Sequence, residues 1–360
     1  MKRIIIVTYA FYPGNSPRAL RATELAKELV REGHRVTVYI PGPLTQAHSD
    51  FMKKVNITIQ SMGLLRYKPV RSSSFIGRIF RRGLELLFEY PDVELAFRIP
   101  KALKYADRCD LLISIAVPHP NHWGVARALN KYPRLCRVWV ADCGDPYMGC
   151  RTDTFNKWFH FKYVEKWWCR RADYITVPTE SSKDGYYPEF RSKCRVIPQG
   201  FNLNELAFER YEPHDIPTFA YAGSLALHFR NPLPLFDFLE TLDIDFRFII
   251  YSQATFLPSH AKRLNGKIEI RPLISRSELL KVLSGMDFLV NFENGTAVQT
   301  PSKLIDYAIT GRPVLSIDTP LDERSVVEFL HADYSRRMQL PDIAQYDIKK
   351  VTSDFLACLS

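Results

Sequence analysis

Pro301, Ser302, Lys303 and Asp306 stand at a spacing that suits the binding of a phosphorylated ligand. Pro fixes the first turn of a helix, and Ser can accept an orphan backbone N–H there. The free N–H donors and partial positive charge of a helix start hold an anion, and Lys303 adds a full charge beside it. Asp306 comes one turn later, placed to accept hydrogen bonds from the hydroxyls of whatever carries the phosphate, and Thr300 opens the segment. Gly311 ends the helix and Val314 to Ile317 reads as the next strand. Phosphate at a helix start plus a carboxylate for a sugar describes a nucleotide site. On this segment alone the plainer reading stays open: a solvated cap, a surface carboxylate, and Leu304, Ile305 and Ile309 as core.

These residues need a scaffold, and the rest of the chain supplies one. Arg3 to Tyr9 is a continuous apolar strand, Ala19 to Arg31 places Leu20, Leu25, Ala26 and Leu29 on one helical face, and Arg35 to Ile40 is a second strand. Strand, helix and strand in about 40 residues make a βαβ unit, hence a parallel sheet with functional loops at its carboxyl edge. The Gly-x-Gly-x-x-Gly turn of a dinucleotide fold is missing; Gly14 stands alone in the first loop. Further strands are expected at Leu111 to Ala116, Arg137 to Ala141, Tyr174 to Val177 and Arg195 to Pro198. Phe161, Tyr163, Trp167 and Trp168 fall on a helix and read as core and interdomain packing. After Asn202 the pattern restarts with a strand at Phe219 to Gly223, a helix from Pro232 to about Leu242 and a strand at Phe246 to Tyr251. Two α/β halves follow, and ligands usually bind at such a boundary.

Several other residues sit where loops leave predicted strands. Gly223 and Ser224 end a strand and Arg230 precedes a helix, so backbone N–H groups and a guanidinium can face a diphosphate together with Lys303. Fixed cations there would stabilise charge building on a leaving phosphate and replace a metal. Glu293, in Glu293-Asn294-Gly295-Thr296, is either a ligand contact or part of an ordinary polar turn. In the first half, one of Arg18 and Arg21 is expected to face the ligand and the other to be a solvated helical charge. His119 follows the strand Leu111 to Ala116, with His122 as its competitor. Asp142 and Asp145 end another strand; one can accept a hydrogen bond from a ligand hydroxyl, and turn formation suits Asp145 because Pro follows it.

The segment TPSKLIDYAITGRPV, Thr300 to Val314, resembles the signature of retaining GT-B glycosyltransferases of family 4, and Met1 to Val38, Cys169 to Asn202 and Phe219 to Pro232 match stretches of that family in the same order. The resemblance implies an α/β GT-B fold: two Rossmann-like parallel-sheet domains facing a central cleft. It implies an acceptor-side domain over residues 1–200, a nucleotide-sugar domain over 201–345, and a C-terminal helix over 346–360 packing back toward the first. It further implies transfer of a sugar from a nucleotide-diphosphate donor to an acceptor hydroxyl with retention, in cell-surface polysaccharide or glycolipid synthesis. By resemblance, His119, Lys303 and Arg230 are catalytic; Gly14, Gly223, Ser224, Glu293, Thr300, Ser302 and Asp306 bind donor; Arg18 and Asp142 lie on the acceptor side. Two departures stand out: Ser224 occupies what looks like an Arg position, and Val298 stands where the family pairs a Glu with the carboxylate at Asp306. They keep two rivals open, a sugar-nucleotide epimerase of the same architecture and a catalytically silent binding protein.

Composition narrows the partners. The chain has 360 residues, 46% of them hydrophobic, and can bury two cores. Its seven cysteines form no Cys-x-x-Cys pair and no Cys/His cluster at metal spacing, with Cys143 and Cys150 nearest, so reduced thiols, no metal, no cofactor beyond the donor substrate and a cytoplasmic enzyme are expected. A net charge of +10 calls for an anionic partner, and no nucleic-acid motif is present. Six of the basic residues lie between Arg66 and Arg82 with no Asp or Glu among them, beside Leu64, Leu65, Phe75, Ile76, Ile79 and Phe80. That segment is either a contact with the anionic inner face of a membrane, where a lipid-linked acceptor would reside, or a solvated face over a core stripe.

Overall fold

A computed structural model describes residues 1–70, 74–149, 157–203, 208, 210–227, 230–264, 266–293 and 302–360. It divides into two compact units, Met1–Asn202 with Gln345–Ser360, and Leu203–Ala344.

The first unit carries β1 (Arg3–Thr8), α1 (Pro17–Arg31), β2 (Arg35–Ile40), α2 (Gln46–Val55), β3 (Thr58–Ser61), α3 (Phe75–Phe88), α4 (Leu95–Ala102), β4 (Cys109–Ile115), α5 (Pro120–Lys131), β5 (Cys136–Asp142), α6 (Phe161–Arg171), β6 (Tyr174–Val177) and β7 (Cys194–Val196). Its strands form a parallel sheet in the order β3-β2-β1-β4-β5-β6-β7. Side chains alternate across the sheet: Ile5, Val7, Leu112 and Trp139 join one core cluster, and Ile4, Ile6, Leu111 and Val140 the other. Helices cover both faces, which is why β1 reads as a continuous apolar run instead of an alternating one. α1 starts two residues before its apolar periodicity, because Pro17 occupies the first turn and the Ser16 side chain accepts from the N–H of Ala19 at 3.2 Å.

The second unit carries β8 (Thr218–Ala222), α7 (Leu233–Glu240), β9 (Arg247–Tyr251), α8 (Leu257–Ala261), β10 (Ile268–Arg271), α9 (Arg276–Ser284), β11 (Phe288–Phe292), α10 (Ser302–Thr310), β12 (Val314–Ile317) and α11 (Glu323–Leu330). Its parallel sheet runs β10-β9-β8-β11-β12. Phe219, Tyr221 and Phe248 point to one face while Ala220, Ala222 and Ile249 point to the other. α12 (Ile348–Ala357) belongs to the first unit and buries Ile348, Val351 and Phe355 in the cluster that holds Leu25 and Leu29 of α1.

The aromatic helix differs from expectation at one position. In α6, Phe161 and Trp168 are buried, whereas Tyr163 faces solvent. The core reading of the Arg66 to Arg82 segment fails outright, since no side chain of α3 is buried. No described helix is long and apolar enough to cross a membrane.

Candidate functional site

In the second unit, α10 and the loop before α7 bring two cations, Lys303 and Arg230, beside β8. Lys303, in the first turn of α10, carries its Nζ over the Tyr221 ring of β8 at 4.9 Å, and that Nζ is buried with no hydrogen-bond partner among the described residues. Burial, then the charge of Arg230, push the Lys303 ammonium down to about 7, against the opposing pull of Glu293. Tyr221 is itself held, its hydroxyl donating to the Ser224 carbonyl at 2.9 Å, and Tyr307 of α10 accepts from the Ala222 N–H at 3.1 Å. Gly223 adopts φ of 145°, open to glycine and strained for other residues, so the chain can leave β8 sharply and place Ser224 in solvent. Arg230 is half-buried and bears on both Tyr221 and Lys303. Glu293 ends β11 and accepts from Ser316 at 3.1 Å and from the Asn291 amide. An orphaned ammonium beside a guanidinium, on a polar edge of a sheet, is electrostatically incomplete until an anion arrives.

Asp306 has a partner that sequence reasoning missed. Arg276, at the start of α9, donates to Asp306 Oδ1 through Nε at 2.9 Å and through NH2 at 2.5 Å. Thirty residues separate the two, and no spacing rule connects them. Burial raises the Asp306 carboxyl and Arg276 opposes the shift. Oδ2 is left without a hydrogen bond among the described residues. Thr300 and Val298 lie outside the described residues, as does the side chain of Ser302 and the turn Asn294 to Thr296.

In the first unit the structure separates the paired alternatives. Arg21 is no solvated charge: it is buried, bound in parallel through Nε and NH2 to the two carboxylate oxygens of Asp142 at 2.7 Å each, and it also donates to the carbonyls of Pro198 and Ile197. Asp142 accepts a further bond from Thr176 at 2.6 Å. Burial alone would raise the Asp142 carboxyl; Arg21 and Thr176 outweigh it and hold it below the usual range. The expectation that Asp142 meets an acceptor hydroxyl is therefore corrected: its oxygens are spent within the core, where they tie β5 to α1 and β6. Asp145 is half-buried in the following loop. Arg18 is half-buried, and its guanidinium occupies the space above Gly144, where a Cβ would lie 1.2 Å from NH2. Gly14 is exposed and donates its N–H to the Phe11 carbonyl at 2.9 Å.

His119 and His122 also part company. His122 is fully buried, with Nδ1 2.8 Å from Ser114 Oγ and Nε2 3.2 Å from Cys143 Sγ, so both nitrogens serve the interior. Burial pushes it down to about 3. The His119 ring packs against Tyr147 with centroids 4.6 Å apart and the planes tilted by 42°, and its buried Nδ1 has no hydrogen-bond partner among the described residues. Burial, then His122, Lys157 and Arg18, depress its basicity, leaving a neutral imidazole that can donate or accept a hydrogen bond but is no acid reservoir near neutral pH. The expected lack of a Cys/His cluster needs a correction too: His119, His122 and Cys143 offer ligand atoms within 4.8 Å of one another. Sequence spacing hid the group because its members come from the loop after β4, from α5 and from the residue that follows β5. With His122 engaged at both nitrogens, both imidazoles neutral and burial pushing the Cys143 thiol up, the trio is an uncharged polar seam in the core. Cys150 lies outside the described residues.

The sequence pattern of Glycosyltransferase Family 4 matches residues 19–205, just over half of the chain. The chain belongs to that family. A search of curated proteins finds no match. Among solved structures, the lipopolysaccharide outer core galactosyltransferase WaaB in its apo form is similar at 13% identity and TM-score 0.58, with 99% of each chain covered. Alr3699/HepE of Anabaena, solved with UDP and glucose, has 11% identity and TM-score 0.56 over 100% of this chain and 99% of that one. A putative UDP-N-acetylglucosamine 2-epimerase of Listeria monocytogenes has 10% identity and TM-score 0.52 over 100% and 96%. At such identities the likeness carries the fold, which is GT-B with parallel sheets of seven and five strands. Fold alone does not separate a transferase from an epimerase. Family membership supports the transferase.

Proposed function

We propose that the protein transfers a sugar from a nucleotide-diphosphate donor to an acceptor hydroxyl, with retention and without a metal, in the synthesis of a cell-surface polysaccharide or glycolipid. The observation that carries this reading is the buried Nζ of Lys303, without a hydrogen-bond partner among the described residues, with Arg230 beside it. A leaving nucleoside diphosphate gathers charge on its β-phosphate, and these two cations meet that charge more strongly in the transition state than in the ground state. Gly223 and Ser224 line the same sheet edge with Glu293, and Asp306 Oδ2 is available to ribose hydroxyls while Arg276 steadies the carboxylate. Ser302 and Thr300 belong to the same proposal as donor contacts on the strength of the sequence signature. In the first unit Arg18 and the neutral His119 are the acceptor-side and sugar-contacting candidates. The acceptor is a saccharide or a lipid-linked saccharide at the inner face of a membrane.

The test is a thermal-shift screen with UDP, GDP, ADP and CMP, then product analysis with the matching sugar nucleotides. A nucleotide at 100 times its dissociation constant is expected to stabilise the protein by about 2.7 kcal/mol. Release of nucleoside diphosphate only with acceptor present, and an α-linked product from an α-donor, support retaining transfer. Sugar isomerisation without acceptor would replace it with the epimerase reading.

Turnover is expected to persist in EDTA, because Arg230 and Lys303 supply the charge that a divalent cation would. Loss in EDTA, with rescue by manganese or magnesium, would overturn metal independence and turn attention to His119, His122 and Cys143. Asp306→Asn is expected to weaken nucleoside diphosphate binding ~5- to 10-fold, since an amide cannot accept at both oxygens, while Asp306→Glu stays within about threefold. Calorimetry giving one affinity for all three proteins would remove Asp306 from the site.

A further inference from the structure

α3 is an amphipathic helix without a core to cover. Its side chains Phe75, Ile76, Ile79 and Phe80 are 69%, 79%, 57% and 60% exposed, and none of its residues is buried. At 3.6 residues per turn these four share one half of the circumference with Leu84, Leu86 and Leu87, while Arg78, Arg81 and Arg82 take the other half with Glu85. Arg81 and Arg82 approach Glu85 at 3.6 and 3.3 Å, and Arg78 meets no carboxylate among the described residues. Leu84, Leu86 and Leu87 are half-buried, so the exposed apolar surface is that of Phe75, Ile76, Ile79 and Phe80, and a patch of this kind marks a contact surface.

The surroundings extend that surface. The carbonyl of Leu87 accepts from or faces His160 Nε2 at 3.1 Å, which brings the exposed Trp158 and Phe159 to the end of α3. On another side Tyr90 stacks on Tyr67 at 5.6 Å and donates to the Lys68 carbonyl at 2.9 Å, while the Glu94 carboxylate accepts from the N–H groups of Arg66 and Tyr67. Leu64, Arg66 and Lys68 are thus held near the same helix end. Apolar side chains, an exposed Trp and several cations form a single patch, whose nearby acids are already engaged: Glu85 by Arg81 and Arg82, Glu89 by Lys157 and Glu94 by Arg98.

We infer that α3, with Leu64 to Lys68 and Trp158-Phe159, is an in-plane anchor that docks the first unit on an anionic lipid bilayer. The charge favours this occupant: the apolar half enters the acyl boundary, Trp suits the headgroup level, and the arginines meet lipid phosphates. A second copy of the same face would bring these arginines against one another. The anchor is also tied to the interior. Glu89, which caps α3, accepts from Tyr147 at 2.9 Å and binds Lys157, and the Tyr147 ring packs on His119. If the proposed transferase reading holds, and this step rests on it, docking presents the His119 edge to an acceptor residing in that bilayer.

The test is sedimentation of the full chain with phosphatidylcholine vesicles, with and without about 30% phosphatidylglycerol, at low and high salt. Binding is expected to require the anionic lipid and to weaken with salt. Arg78→Ser, Arg81→Ser and Arg82→Ser together are expected to reduce partitioning ~10- to 100-fold, and Ile76→Ser with Ile79→Ser and Phe80→Ser to abolish it. Since no α3 side chain is buried, both variants are expected to keep the parent Tm. In the unsubstituted chain, brominated lipid is expected to quench a fluorescence component that Trp158→Phe removes. Nucleoside diphosphate binding to the α3 variants, read by calorimetry, separates the two readings: it is expected to be unchanged, and its absence in every protein would count against the transferase and leave docking to the vesicles. Failure of the parent chain to bind anionic vesicles, binding indifferent to both variants, or self-association abolished by the apolar variant without vesicle binding would each overturn the inference.

Discussion

Replacing Lys303 by Ala is expected to lower kcat/KM by ~100- to 1,000-fold, the usual effect of removing one group that meets developing charge in a transition state. The Tm is expected to hold or rise, because the substitution deletes a buried ammonium that has no hydrogen bond among the described residues. Those two directions together set a binding role apart from a structural one. A pH dependence goes with them. Burial and Arg230 bring Lys303 to about 7 from its ordinary 10.5, so between those values the unfolded chain holds a proton that the folded chain has lost. Stability of the free protein should therefore rise with pH across that window, and the rise should vanish in Lys303→Ala. A bound diphosphate restores the proton, so nucleotide binding above about pH 7 should take up protons and weaken as pH increases. Calorimetry in buffers of different ionisation heat reads the uptake. Near-normal kcat/KM in Lys303→Ala, or nucleotide affinity flat between pH 7 and 9, would remove Lys303 from the site.

Asp142→Ala is expected to destabilise the first unit by about 3–5 kcal/mol, since it leaves the Arg21 guanidinium buried against an empty space. For a unit of this size that is a Tm loss on the order of 10 °C. The double variant Arg21→Met with Asp142→Leu should recover much of the loss, because no charge is then stranded. The folded Asp142 carboxyl lies below its ordinary 3.8, so its contribution is intact above that value and disappears as the pH falls through the folded value. An acceptor-binding carboxylate would instead raise KM at unchanged Tm, and that result would return Asp142 to the acceptor side.

How much was legible in the chain follows from the range of each signal. The strands at Tyr174–Val177 and Val314–Ile317 and the opening βαβ unit could be read directly, since apolar runs and caps act over a few residues. Lys303 and Asp306 could be read as a pair because they share one helix. Arg276 could not, being thirty residues from Asp306 and joined to it only by the packing of α9 on α10. The same limit hid the His119, His122 and Cys143 group, which exists because β4 and β5 are neighbours in the sheet.

Sequence by itself determined the class of the protein: parallel α/β layers in two halves, a helix start suited to phosphate, and membership of a family whose motifs recur in order. Tertiary structure decided which of several equivalent residues is free to act. Arg18 or Arg21, His119 or His122 and a buried or exposed α3 are alike in composition and local spacing. They differ in whether distant elements satisfy them: Asp142 claims Arg21, Ser114 and Cys143 claim His122, and no core claims α3. A local pattern specifies backbone geometry, but the free energy of a polar or apolar side chain depends on what the fold places against it.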